Sequence, residues 1–216
     1  ARRALAEIDL TTGSSTSFNA PTNGFATIRQ IGLGTSTVYL GGGKMTMNDS
    51  SVRRALAEFN LSDSSLTSYQ LNLSADADTI HDMVLTSSTI YTAGDFTLVD
   101  GQSREGLVAF NRTTGSSTNW NPGADALGRV LILTSSTAII GGNFSTIGGQ
   151  SRRRLAEINL SDGLATSWNP QFGVSSTEVN AIAIATSNVF AAGGTLYGTT
   201  GGYIGFALFA PTIEFT

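Results

Sequence analysis

Short apolar segments alternate with segments rich in Ser, Thr and Gly along the whole chain. One pair of such segments, Ala26–Leu33 and Thr37–Gly41, is joined across Gly34-Thr35-Ser36. Short runs of this kind, with β-branched residues inside and turn residues at both ends, are typical of β-strands. Runs that favour helix, such as residues 4–7, soon meet turn residues and are too short for a stable helix. The pattern therefore predicts an all-β protein.

One sequence pattern occurs five times. It begins as Leu-Ala-Glu-Ile-Asp-Leu at residues 5–10, and its copies start near residues 5, 56, 107, 155 and 206. The first four copies share an aromatic column: Phe18, Tyr69, Trp120 and Trp168. They also share a glycine column, predicted to allow tight backbone approach at a strand end: Gly42, Gly94, Gly142 and Gly193. Columns that agree in register establish an internal repeat. We expect the aromatic residues to pack between repeats, with stacking on sugar rings as the alternative.

Each copy contains four short predicted strands. A four-stranded unit of this size cannot bury both of its faces alone, and stacking such units around an axis covers them. We therefore predict one β-propeller of four-stranded units over residues 1–216, with four to five units visible, either complete or part of a larger ring. A linear β-solenoid is the alternative, although its rungs are usually shorter.

The repeat divides into an inner and an outer strand pair. The apolar pair that ends in Gly-Gly is predicted at four places: 26–43, 79–94, 128–142 and 179–194. The Leu-Ala-Glu pair is predicted at five places: 4–19, 53–70, 104–120, 153–168 and 204–216. Because the two counts differ, we expect a segment of a longer propeller, or a second chain that completes the ring.

One copy carries the motifs of a known group of repeats. It contains Gly141-Gly142-Asn143-Phe144, then Leu155-Ala156-Glu157-Ile158, then Trp168-Asn169-Pro170. This pattern resembles the kelch-like, delta-60-type tandem propeller repeats of large secreted bacterial proteins. The resemblance covers nearly the whole chain, although the first two copies depart from it at residues 44–48 and at Tyr69. It implies a propeller that serves for binding or display.

A polar residue stands at the same place near the start of each inner pair: Arg29, His81, Arg129 and Asn180. In a propeller these positions lie near the mouth of the central channel, where ligands commonly bind. Arginine and asparagine side chains can hydrogen-bond a carboxylate or sugar hydroxyls. We predict a ligand-binding site at these four residues. The alternative is that they only cap the packing between units and face solvent.

Three acidic residues, Asp76, Asp78 and Asp82, fall just before and within an inner strand. Alternating carboxylates can supply oxygen ligands to Ca²⁺. The glycine and the final glutamate of a complete calcium loop are absent, so solvated loop acids are the alternative. No other cofactor is predicted. His81 and Asp82 are neighbours, but adjacent strand residues point to opposite faces, and we predict no catalytic residue.

Arginine pairs precede the Leu-Ala-Glu segments, and a glutamate follows them. Examples are Arg53 with Glu58 and Arg152 with Glu157. This spacing predicts repeated ion pairs along one rim, and a basic rim could bind an anionic polysaccharide. Exposed ion pairs of this kind contribute little stability.

Composition removes several classes of function. The chain has no Cys and one His, which excludes disulfides, thiolate chemistry and sites built from several His ligands. A net charge of −4 argues against nucleic-acid binding, and no apolar run is long enough for a membrane span. Abundant Ser and Thr with few lysines suit an extracellular or cell-surface microbial protein.

These observations predict a non-enzymatic binding or display module. It would recognise a glycan or a protein on a cell or fibre surface through one face of the propeller. One alternative is a structural repeat unit of a surface filament or layer. Another is an enzyme of the glycosidase or lyase class, which needs paired carboxylates in a central funnel. The inner-strand columns supply at most one acid, Asp82.

Overall fold

The structure, a computed structural model, describes residues 5–23, 27–73, 78–170, 178–185, 188–198 and 201–209. These residues form β-strands, turns and loops, and no helix occurs among them, so the all-β prediction is confirmed. No helix in the described part of the chain is therefore long and apolar enough to cross a membrane. The strands, in chain order, are β1 (Ile28–Leu33), β2 (Thr37–Gly42), β3 (Met45–Thr46), β4 (Val52–Arg53), β5 (Leu56–Asn60), β6 (Thr79–Leu85), β7 (Thr89–Asp95), β8 (Leu98–Val99), β9 (Gln102–Ser103), β10 (Leu107–Asn111), β11 (Gly128–Leu133), β12 (Thr137–Gly142), β13 (Thr146–Ile147), β14 (Gln150–Ser151), β15 (Leu155–Asn159), β16 (Val179–Ala185), β17 (Asn188–Gly198) and β18 (Gly201–Phe209).

The longer strands form small antiparallel sheets that follow one another along the chain. Sheet 1 consists of β1, β2 and β5, sheet 2 of β6, β7 and β10, sheet 3 of β11, β12 and β15, and sheet 4 of β16, β17 and β18. In each sheet the second strand lies in the middle, between its hairpin partner and the Leu-Ala-Glu strand. This is the strand pairing that the sequence predicts. Two-stranded ribbons, β3–β4, β8–β9 and β13–β14, link the second and third strands of sheets 1 to 3.

The fourth predicted strand of each unit is shorter than expected. It is reduced to a single bridge in sheets 1 to 3: Phe59 with Leu66, Phe110 with Ser117 and Ile158 with Ala165. The aromatic residue that follows each bridge, such as Trp120, is buried. Three strands and a bridge therefore replace the four strands that the pattern predicted.

Neighbouring sheets pack against each other through apolar side chains. Between sheets 2 and 3, Leu131 and Ile140 of sheet 3 pack with Ala93 and Leu107 of sheet 2, and all four are buried. Each large apolar side chain that is fully buried contributes about 1.5–3 kcal/mol relative to an exposed one. The core is therefore divided into layers between successive sheets rather than gathered at one centre.

The aromatic column lies inside these layers. The Trp120 indole N–H donates to the Asn159 carbonyl in the next sheet at 3.0 Å, and the Tyr69 hydroxyl donates to the Asn111 carbonyl at 3.2 Å. Trp120 also packs edge-on against Tyr91, with ring centroids 5.2 Å apart. The predicted role in packing between repeats is confirmed. These buried rings do not present a face on which a sugar could stack.

The arginine and glutamate columns make different contacts from those predicted. Arg53 donates to the carbonyl of Thr67 at 3.0 Å, and Arg152 donates to the carbonyl of Thr166 at 2.7 Å. The Glu58 carboxylate accepts the Thr67 hydroxyl at 2.7 Å. Arg53, Arg152 and Glu58 thus bond to hydroxyl and main-chain groups of the same turn, and these contacts differ from the predicted ion pairs. These arginine and glutamate side chains therefore connect the turn after each single bridge to the rest of its sheet.

Candidate functional site

The first strand of every sheet contains a β-bulge at the same position. In β1, Ile28 lies opposite Gly42 and Gln30 lies opposite Gly41, so Arg29 has no residue opposite it. The residues bulged in the same way in the other three sheets are His81, Arg129 and Asn180. These are the four members of the predicted polar column. A bulge bends the strand and changes the direction of the extra side chain.

The glycine column makes this bulge possible. A Cβ added to Gly42 would overlap the carbonyl oxygen of Thr27, the residue before the bulged pair. The same clash occurs at the other three column glycines, with the carbonyls of Thr79, Leu127 and Glu178. Their φ angles are outside the left-handed region. Close backbone approach, as predicted from the sequence, explains why glycine occupies this column.

The four bulged residues line one cavity of about 510 Å³. They reach it from four successive sheets, and Glu178, which precedes β16, completes the lining. Sequence reasoning found the four column residues but missed Glu178. No column marks its position, because the equivalent residues of the other sheets are not acidic: Thr27, Thr79 and Leu127.

Arg129 connects three of the sheets. Its Nε donates to Glu178 Oε2 at 2.9 Å, and its Nη1 donates to His81 Nε2 at 2.8 Å. Because a guanidinium has no acceptor, His81 Nε2 must accept this bond, and the imidazole carries its proton on Nδ1. The bond to Glu178 joins opposite charges and is the stronger kind of hydrogen bond. Arg129 is therefore held in place at the centre of the row.

The surroundings of His81 favour its neutral form. Burial lowers the pKa of its imidazole, and the positive charges of Arg129 and Arg29 lower it further, against the smaller opposing effect of Asp95 and Glu178. The charges that remain in the cavity are those of the two arginines and Glu178. The cavity therefore carries about one net positive charge, on a chain whose net charge is −4.

Two polar side chains of the row are open to solvent. Arg29 and Asn180 are exposed, and Arg29 makes no hydrogen bond to any other described residue. The Arg129 side chain is 27% exposed, and both of its bonds leave Nη2 unused. Free guanidinium and amide donors therefore face the cavity, where they can bind an anionic or hydroxyl-bearing group.

The structure describes two of the three predicted calcium residues, Asp78 and Asp82. Asp76 lies outside the described residues. Asp78 is buried, and Asp82 accepts the main-chain N–H of Leu131 in sheet 3 at 2.8 Å and of Met83 at 2.9 Å. Asp82 thus ties sheet 2 to sheet 3, and burial raises the pKa of its carboxyl. No group of three or more His, Asp or Glu side chains suited to a metal occurs among the described residues, and the calcium site stays a prediction.

Comparison with known proteins adds evidence about the fold. No protein-family model and no curated protein matches the chain. The chain is similar in structure to the computationally designed Ika4 protein, with a TM-score of 0.52 and 10% sequence identity. The match covers 87% of this chain and 93% of Ika4. At this identity the likeness concerns the fold alone.

Proposed function

We propose that the chain is a β-propeller binding module that acts outside the cell and recognises a carboxylate-bearing glycan or protein. Four sheets of one design pack in succession, with the first strands of neighbouring sheets in contact, which supports a radial arrangement. The resemblance to kelch-like repeats supports the same arrangement. The convergence of four bulged polar side chains on one cavity carries the functional proposal.

The chemistry of the cavity favours an anion. Arg29 offers a free guanidinium, which can hold a carboxylate through two parallel hydrogen bonds. Arg129 offers its Nη2, and Asn180 adds an amide that can bond to hydroxyl or carbonyl oxygens. A uronic or other acidic sugar combines a carboxylate with hydroxyl groups. A neutral sugar would leave the excess positive charge without a partner.

Binding without hydrolysis suits the cavity better than glycoside cleavage does. Glu178 supplies one carboxylate, which is paired with Arg129. Glycosidases generally need two carboxyl groups, of which one must donate a proton. Among the described lining residues no second carboxylate is present to complete such a pair. We therefore propose a non-enzymatic module, with a structural repeat unit as the alternative.

A glycan array followed by calorimetry tests the proposal. The wild-type chain is screened against neutral and uronic-acid oligosaccharides, and the best binder is titrated into Arg29→Gln, Arg129→Gln and Arg153→Gln. Arg153 is exposed and does not line the cavity, so its variant removes the same charge from elsewhere on the surface.

We expect acidic sugars to bind and both cavity variants to weaken binding by roughly tenfold or more, since each loses a charge-assisted hydrogen bond. Arg153→Gln should bind like the wild type. Preference for neutral sugars, or equal loss in all three variants, would contradict an anion site in this cavity.

A further inference from the structure

The first strand of sheet 1 is open on the face that the preceding sheet covers elsewhere, whereas Val38 and Leu40 beside it are buried against residues such as Phe18. Ile31 is 53% exposed and Leu33 is 70% exposed. The equivalent residues of sheet 2 are Met83, which is buried, and Leu85, which packs against the core between sheets 1 and 2. A preceding sheet covers those residues, and sheet 1 has no such neighbour among the described residues.

The first strand of sheet 4, β16, is also open on its opposite face. Ala181, Ala183 and Ala185 of β16 are exposed. The residue of sheet 2 equivalent to Ala183 is Val84, which packs with Leu133 of sheet 3 in the core between the two sheets. β16 therefore presents the kind of surface that, elsewhere in the chain, receives the first strand of the next sheet.

These two open faces match the two sides of an existing interface. Within the chain, Gly32 of sheet 1 meets Leu85 of sheet 2 so closely that a Cβ on Gly32 would overlap it. A small residue on one sheet thus accommodates a leucine on the next. Extending the repeat by one step places Ala183 of sheet 4 against a residue equivalent to Leu85, which is Leu33. The pair again joins a small residue with a leucine.

Residues 5–10, which precede sheet 1, bridge to Ser15 but pair with no middle strand among the described residues. Residues 5–10 carry the Leu-Ala-Glu strand sequence, but Ile8 is 50% exposed, whereas its equivalent Phe59 is fully buried. Together with sheet 1 this segment borders an apolar groove of about 220 Å³, which includes Phe18 and Leu33. In sheets 1 to 3 a strand of this sequence pairs with the middle strand of its sheet.

We infer that a second copy of this chain occupies the open face, with its sheet 4 packed on sheet 1 in a head-to-tail contact. The two surfaces are different patches of one molecule, so the contact is heterologous and leads to a closed ring or a chain of copies. Residues 5–9 then lie beside β17 of the neighbouring copy. There they compete with the β18 strand of that copy for the outer edge of β17. We choose a second copy as the occupant because every interface between sheets in the chain joins the same two faces, and sheets 1 and 4 each leave one of these faces open.

Engineered cysteines test this contact cleanly, since the chain has no cysteine of its own. Leu33→Cys and Ala183→Cys are made as separate proteins, mixed and treated with a short bis-maleimide crosslinker. The control mixture pairs Ala183→Cys with Leu164→Cys, because Leu164 is also exposed, at 55%, but lies in an outer turn of sheet 3. A double variant with both cysteines in one chain is treated in parallel.

We expect a crosslinked heterodimer in the first mixture, at roughly ten times the control level. The double variant should give linked species of two or more copies. A crosslink confined to single chains of the double variant would show that the ring closes on itself and would overturn the inference. Equal crosslinking in the control mixture would overturn it as well.

Sedimentation of uncrosslinked protein gives an independent measure. Leu33→Asp should weaken self-association by roughly tenfold or more, because it places a charge in an apolar interface. Leu164→Asp should sediment like the wild type. Circular dichroism confirms that both variants are folded. A wild-type chain that stays monomeric at every concentration would contradict the contact.

Discussion

Arg129 and Leu131 lie two residues apart in β11 and have opposite surroundings. Leu131 is buried in the core between sheets 2 and 3, whereas Arg129 lies at a cavity and contacts His81 and Glu178. Residues two apart in a regular strand share one face. The bulge at Arg129 breaks this alternation, so that a charged side chain leaves the core face that Leu131 keeps.

Within this one strand, Arg129 belongs to the proposed binding cavity and Leu131 belongs to the core that stabilises the fold. At the bulge the four sheets carry Arg29, His81, Arg129 and Asn180, which differ in charge and size. Two residues later every sheet carries an apolar residue: Ile31, Met83, Leu131 and Ile182. A change at the bulge therefore alters the cavity, whereas a change two residues later, at Met83 or Leu131, alters the packing between sheets.

Truncation of the buried member should have the largest effect. Leu131→Ala removes a side chain that is fully enclosed between two sheets, and we expect it to lower the free energy of unfolding by about 2–5 kcal/mol. Urea unfolding measures this change. Ligand binding by the folded protein should be unchanged. The matched variant Leu164→Ala, at an exposed leucine, should change stability by less than about 0.5 kcal/mol.

Loss of the bulge itself should have the next largest effect. Gly42→Ala places a Cβ against the Thr27 carbonyl, and we expect a loss of about 1–3 kcal/mol in unfolding free energy. Gly43→Ala is the control, because a Cβ there meets only the Thr79 hydroxyl, at 3.9 Å. Equal destabilisation by the two substitutions would contradict the proposed role of the glycine column.

Part of this arrangement could be predicted from the sequence. The repeat placed Arg29, His81, Arg129 and Asn180 in one column because equivalent positions recur in register. The bulge itself was not predicted, since an extra residue leaves the apolar pattern on either side intact. Glu178 was missed because an acidic residue occurs at this position in one copy alone. Comparison of the copies detects only residue types that recur at equivalent positions.

The contacts of the outer strands were predicted less well for a related reason. Opposite charges at Arg53 and Glu58 indicated an ion pair, but each finds an uncharged partner within its own turn, at Thr67. Sequence spacing shows which residues are near one another. It does not show which of several nearby donors and acceptors lies closest.

Trp120, the aromatic residue between sheets 2 and 3, should contribute to stability through its indole N–H as well as its ring. Trp120→Phe keeps an aromatic ring but removes the indole N–H that donates to the Asn159 carbonyl. We expect a loss of about 1–3 kcal/mol, because that carbonyl loses its partner and the smaller ring fills less space. Thermal unfolding measures the loss. An unchanged melting temperature would contradict the role of this bond in joining sheets 2 and 3.

The smallest expected effect concerns pH. Burial and the neighbouring arginines lower the pKa of His81 below its ordinary value of 6.5. As the pH falls below 6.5, the unfolded state takes up a proton before the folded state does, so stability decreases until the lowered pKa is passed. Urea unfolding at pH 7.5 and pH 5.5 should show this decrease in the wild type. The decrease should be smaller in His81→Gln.

The position of the proton on His81 shows whether the bulged residues of neighbouring sheets meet at the cavity. The chain has a single histidine, so its imidazole nitrogens give one set of signals in a ¹⁵N NMR spectrum. If the bulges bring Arg129 against His81, the ring at pH 7 is neutral, with the proton on Nδ1 and Nε2 accepting from Arg129. This pattern should be lost in Arg129→Gln. A ring that is protonated at pH 7, or that carries its proton on Nε2 in the wild type, would contradict the account.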